Sequence, residues 1–183
     1  MRSTRFSTGG LIVAVHWSAP GESAELTEHQ GEGRFEPGQT STVHLVAGRA
    51  GAPPGLALAL TYAPTDEVCL PAIHLMPSAE TLFVGAGRDL LTYALTPGQV
   101  RRVDQDVAEL GFFGWAQHGD LVLGRAELGL TGWSADGQRR WSAWAEPPWD
   151  YRVDGDRVRL DVMGQASEFA LLDGPVSRTS RAR

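Results

Sequence analysis

From Trp149 to Leu160 apolar and polar residues alternate on both sides of Asp154-Gly155, and this is the feature that most limits what the chain can become. A two-residue period sends neighbouring side chains to opposite faces of a strand, and Asp-Gly is a strong type I′ turn signal, so the segment reads as a β-hairpin. With Asp154-Gly155 at the tip, Trp149 faces Leu160 and Tyr151 faces Val158 on an apolar side, while Asp150 faces Arg159 on a wet side. The same grammar recurs upstream. Leu56, Leu58, Leu60 and Tyr62 alternate with small residues after Pro53-Pro54-Gly55, and Val43 and Leu45 alternate before Gly48. The run Leu11-Ile12-Val13-Ala14-Val15 follows Arg2 and Arg5 in the manner of a signal peptide, but it is short and lacks a small-x-small cleavage site, so it reads as a strand. Helical periodicity is scarce throughout, and the expected class is all-β, built from short antiparallel strands.

The chain has 183 residues, 42% of them hydrophobic, which suffices for a sizeable core without disulfides; residues 1–175 are expected to form one domain and 176–183 a basic tail. All 16 basic residues are arginine and no asparagine is present, so turns must be made by Gly and Asp-Gly. A formal net charge of -6 argues against a general nucleic-acid binder, whose affinity comes from clustered cations. The tail carries Arg178, Arg181 and Arg183 but is too short to reverse that balance. Glu22, Glu25, Glu28, Glu32 and Glu36 form an acidic stretch that reads as a solvated loop or edge strand, or as a surface for a basic partner. The single Cys69 can form no internal disulfide, and no apolar run reaches the length of a membrane-spanning helix, so a cytoplasmic protein is expected.

Laying Leu82 to Arg102 over Leu121 to Trp141 brings Leu82/Leu121, Gly85/Gly124, Leu91/Leu130, Thr92/Thr131, Gly98/Gly137, Gln99/Gln138 and Arg101/Arg140 into coincidence. A fainter third copy runs through Leu160-Asp161-Val162 and Phe169 to Gly174, so residues 82–175 form a repeat region. A period near forty residues is the size of a propeller blade. The segment Leu130-Thr131-Gly132-Trp133-Ser134-Ala135-Asp136-Gly137-Gln138-Arg139-Arg140-Trp141 resembles the strand-turn-strand element of quinoprotein-like propeller repeats, in which an Asp and a Gly precede a tryptophan. The other two copies carry Arg102 and Arg178 at that tryptophan's place. The resemblance, over roughly residues 82–176, implies a propeller-like or β-meander repeat, closed as a small propeller or left incomplete. Phe112-Phe113-Gly114-Trp115 and Glu146-Pro147-Pro148-Trp149-Asp150-Tyr151 are similar to segments of bacterial proteins without an assigned function.

Motifs of chemistry are few. Gly85-Ala86-Gly87 follows an apolar run, but Leu90 stands where a dinucleotide fingerprint needs glycine and a strand follows, so these glycines read as the turn of the repeat. His16, His29, His44, His74 and His118 show no metal-ligand spacing, and Asp150, Asp154 and Asp156 depart from a calcium loop. Asp104 with Asp106, and His118 with Asp120, read as solvated turns, and no nucleophile elbow is present. No catalytic residue, metal or cofactor is expected.

Trp115, Trp133, Trp141, Trp144 and Trp149 crowd into one stretch, and most of that aromatic mass is expected to pack between sheets. The sharper expectation is that Trp144, Trp149 and Tyr151, around the stiff Glu146-Pro147-Pro148 loop, join Arg139 and Arg140 in a surface that binds another protein. On that reading the chain is a non-enzymatic interaction module, a toxin-neutralising immunity protein being one version. The rival is a small-molecule-binding protein or enzyme whose site, at the loop ends of the repeats, is lined by Trp115, His118 and the later tryptophans.

Overall fold

The computed structural model describes residues 3–16, 27–30, 40–64, 70–96 and 99–176, in which the regular structure is sixteen β-strands and one 3-10 turn, Pro77–Ala79. The acidic stretch from Glu22 to Glu36, apart from the backbone of one short strand, lies outside the described residues, as do Cys69 and the arginines of the tail. Among the described residues no helix is long and apolar enough to cross a membrane.

Four sheets form in chain order. Sheet I contains β1 (Ser3–Thr8), β2 (Leu11–His16), β3 (Thr27–Gln30), β4 (Ser41–Arg49) and β5 (Leu56–Tyr62), in the order β1-β2-β4-β5-β3, with β3 running parallel to β5. Sheet II is the antiparallel meander β6 (Ala72–Met76), β7 (Thr81–Ala86), β8 (Asp89–Thr96) and β9 (Gln99–Val107). Sheet III repeats it with β10 (Phe112–His118), β11 (Leu121–Ala126), β12 (Gly129–Ser134) and β13 (Arg139–Trp144). Sheet IV has three strands, β14 (Trp149–Asp154), β15 (Arg157–Val162) and β16 (Gln165–Ala170).

The alternation read in the sequence decides what each face meets. Leu11, Val13 and Val15 of β2 and Leu58 and Leu60 of β5 point one way, into a core shared with Leu82, Val84, Leu91 and Tyr93 of sheet II. The opposite face of sheet II supplies Phe83 and Leu90 to a second core with Phe112, Val122 and Trp133 of sheet III. A third core joins Leu121, Leu123, Leu130 and Trp141 of sheet III to Val158, Leu160 and Phe169 of sheet IV. Sheets II and III are therefore apolar on both faces, which is why β7 is buried along its whole length. The stack does not close on itself. β14 alternates half-buried with exposed residues, and its outward side chains are Asp150, Arg152 and Asp154, a polar cap of the kind that ends a repeat array.

Hydrogen bonds at one end of the stack show the repeat directly. Ala108 N donates to Arg88 O at 2.8 Å, and one sheet later Ala145 N donates to Leu128 O at 3.2 Å. Gly111 O accepts from Glu127 N at 2.8 Å, and one sheet later Pro148 O accepts from Met163 N at 2.9 Å. The connections from sheet II to III and from III to IV are thus each pinned to the hairpin tip they leave and to the one they enter. Matching β-bulges interrupt β8–β9 between Thr92 and Tyr93 and β12–β13 between Gly132 and Trp133.

Two local readings are corrected. The last hairpin turns at Gly155-Asp156, with Gly155 at φ +58, not at Asp154-Gly155. Trp149 therefore pairs with Val162, Tyr151 with Leu160 and Val153 with Val158. That register extends the apolar face to Val153 and Val162, at the cost of placing Asp150 opposite Asp161 and Arg152 opposite Arg159. Both valines are partly buried, so bringing them onto that face is worth about half of the roughly 1.5–3 kcal/mol of a fully buried side chain, still more than the few tenths lost to like charges near the surface, so packing sets the register. Secondly, only Gly87 lies in the β7–β8 turn, at φ +59; Gly85 is inside β7, where a Cβ would come within 2.1 Å of the Phe112 ring.

Candidate functional site

The residues expected to form one aromatic surface divide into two groups. Arg139, Arg140 and Trp144 belong to β13, an edge strand, and Glu146 follows it. Arg139 is held against sheet II: its backbone N–H donates to Asp104 Oδ2 at 3.0 Å and its guanidinium meets Asp106 at 2.6 Å. Arg140 is the extra residue of the bulge, since Arg139 pairs with Trp133 and Trp141 with Gly132, and it is exposed. Trp144 is 57% exposed, and its indole N–H donates to Glu146 Oε1 at 3.4 Å.

Trp149 and Tyr151 lie elsewhere. Both are half-buried on the side of sheet IV that faces sheet III, 6.4 Å apart between ring centroids. The Trp149 indole N–H donates to Glu127 O at 2.8 Å, and Arg125 places its guanidinium carbon 5.8 Å from the Trp149 ring and 5.7 Å from that of Tyr151. Such a cation over aromatic faces is stabilised by the ring quadrupole. Burial pushes the Tyr151 phenol above its ordinary pKa, opposed by Arg125 and reinforced by Asp150. Trp144 is paired with Gly129, on the face of sheet III that looks toward sheet II, so the sheet stands between Trp144 and the Trp149–Tyr151 pair. The cause is the path of the chain. Between Ala145 and Pro148 it rounds the β11–β12 hairpin tip, which Ala145 and Trp149 grip from either side.

The surface beside Trp144 is concave. Where the outer strands of sheets II and III diverge they leave a groove of about 330 Å³, walled by Asp106, Val107 and Glu109 on one side and Trp144 on the other. Its floor is small: Gly124, Ala126, Gly129, Thr131 and Ser142. Other exposed apolar side chains, Leu110 at 44%, Phe113 at 39% and Met163 at 64%, occupy or adjoin the loops and tips at this same end of the stack. The strand pattern did not disclose this grouping, because Leu110 and Met163 sit in connections where alternation carries no information.

The rival arrangement does not assemble. Trp115 is packed among Phe83, Phe112 and Trp133 toward sheet II, with its N–H on Ala72 O at 3.2 Å, whereas His118 faces Tyr151 of sheet IV. They are on opposite faces of sheet III and share no cavity. His16 and His44 do meet as a direct cross-strand pair, which sequence spacing could not reveal. No group of three or more His, Cys, Asp or Glu converges on a metal position among the described residues. Larger hollows are shallow beds on the sheet surfaces: one of about 480 Å³ on sheet I beside Arg5, Ile12 and His16, and one of about 540 Å³ over Asp150, Arg152, Arg159 and Asp161. Comparison with protein-family models and with curated proteins finds no match.

Proposed function

We propose that this chain is a non-enzymatic protein-interaction module that receives a partner protein at the groove between β9 and β13, with Trp144 as the anchor and Arg140 and Glu146 at its rim. The observation that carries this reading is Trp144 itself, more than half exposed beside a groove floored by Gly124, Ala126 and Gly129. Large aromatics and arginine dominate binding hot spots, and a groove with a small-residue floor admits an extended segment closely. Trp149 supports the surface from behind by fixing the hairpin tip through Glu127 O, and Tyr151 packs beside it. In the toxin-neutralising version, the partner's activity is suppressed when it is bound there.

The test is co-purification from native cells followed by reconstitution from purified components. A stoichiometric partner whose affinity falls at least tenfold with Trp144→Ala, while Trp149→Phe leaves it within threefold, supports the reading. Recovery of no stoichiometric partner, or a reconstituted complex indifferent to Trp144→Ala, refutes it.

A further inference from the structure

Sheets II and III each have a fourth strand outside their third, whereas among the described residues sheet IV has three, ending at β16. The chain is set up for a fourth. Asp173-Gly174 follows β16 as Asp136-Gly137 follows β12; Gly174 is at φ +73 and Gly137 at φ +86. Gly174 also bridges back to Ala170 in antiparallel sense. Among the described residues no strand pairs with the outer edge of β16, and that edge is flat. It pairs with β15 over six consecutive positions without a bulge, contains no proline, and has Gln165, Ala166, Ser167 and Glu168 exposed. Edges of this kind are ordinarily blunted by bulges, charge or proline because they template strand addition. β9 and β13, the outer strands of the sister sheets, are bulged and carry Arg101, Arg102, Arg139 and Arg140.

We infer that the β16 edge is a second binding surface, which adds an extended basic segment of a partner protein as the fourth strand of sheet IV. The chemistry of that segment follows from the register of β13 on β12, where Gly132 faces Trp141 and Thr131 faces Ser142. Aligning the hairpin tips puts Glu168 at the place of Gly132 and Ser167 at that of Thr131. The incoming strand therefore runs antiparallel to β16, with a basic residue opposite Glu168 and a hydroxyl residue opposite Ser167, as Thr131 meets Ser142 at 3.4 Å. Glu168 lies opposite Arg159 across β15 but makes no ion pair with it among those found in the described residues, so a cation can approach the carboxylate from the outer side. Main-chain hydrogen bonds supply affinity in strand addition and alternate side chains supply selection. This surface is distinct from the Trp144 groove and stands or falls independently of it.

The experiment measures binding of two fluorescent, end-capped peptides to the full chain, Thr-Val-Arg-Thr-Val-Thr and the same peptide with glutamate replacing arginine, with amide exchange followed over residues 165–170. Expected is slowed exchange in β16 on adding the arginine peptide, weaker binding of the glutamate peptide by about two- to fivefold, and reversal of that preference in Glu168→Arg. Ala166→Pro, which removes an edge N–H, abolishes binding of both. Four results overturn the inference: no binding, binding that leaves exchange of the edge amides of Ala166, Glu168 and Ala170 unchanged, a preference that Glu168→Arg does not alter, or those edge amides already protected in the free chain.

Discussion

Gly85→Ala tests the stacking of sheet II on sheet III most sharply, because two physical effects predict opposite signs. A glycine inside a strand costs about 0.5–1 kcal/mol relative to alanine through backbone entropy, so in open space the substitution stabilises. At Gly85 the added Cβ would lie 2.1, 2.4 and 2.7 Å from Cε1, Cδ1 and Cζ of Phe112. Phe112 cannot yield freely: it is fully buried, 4.8 Å from the Trp115 ring, and shares its core with Phe83 and Trp133. Overpacking one methyl group into such a site costs about 1–3 kcal/mol, and the severity of this contact places it at or above the upper half of that range. After the entropic gain the net loss is about 1–2 kcal/mol, or a fall in Tm of about 2–8 °C for a domain of this size. Urea denaturation and thermal scans read it. In a Phe112→Leu background, where the ring is gone, the penalty of Gly85→Ala shrinks by at least about 1 kcal/mol, as coupled neighbours require. An unchanged or raised Tm for Gly85→Ala alone, or strict additivity in the double variant, refutes the packing argument.

Other expectations follow from single contacts. Thr92→Val removes the buried donor to Gly137 O at 2.7 Å and lowers stability by about 1–3 kcal/mol, whereas Thr92→Ser retains most of it; urea midpoints separate the two. Trp141→Phe loses the indole bond to Leu171 O at 2.8 Å, so amide exchange at Leu171 and Gly174 accelerates before that of β10 to β12. Burial holds the His74 imidazole below its ordinary value of 6.5, opposed by Gln117. The unfolded chain then binds the proton more readily, so this contribution is complete above about pH 6.5 and is lost as pH falls below it toward the lower folded value. Tm against pH should fall less steeply below that point in His74→Gln than in the parent, and parallel curves would sink the assignment.

The all-β class and the forty-residue repeat were legible because both are local: alternation chooses strands, and Gly and Asp choose the turns between them. Leu11–Val15, Val43 and Leu45, and Leu56–Tyr62 became strands; the alternation at Val43 and Leu45 buries one face as expected, whereas Leu56–Tyr62, read as half-buried, is buried on both. The identity of Gly85 with Gly124 did not mark a structural equivalence: Ala86 pairs with Asp89 and Ala126 with Gly129, so the hairpins superpose one residue away from that alignment, and Gly85 faces the following sheet whereas Gly124 faces the preceding one. Both are strand residues that make room for aromatic rings, Phe112 over one and Trp115 with Trp133 over the other. Periodicity gives parity and not partners, so it could place Trp144 and Trp149 on strands without saying that a sheet would lie between them. The hairpin register was open in the same way, since either turn keeps the same faces inward, and only the valines added to the sheet III–IV core select Gly155-Asp156. What the sequence alone determined is the grammar of short strands, turns and repeats, because those forces act between residues close along the chain. The Trp144 groove and the position of β16 at the outside of sheet IV among the described residues were decided by how strands and successive sheets pack, through contacts between residues far apart in sequence.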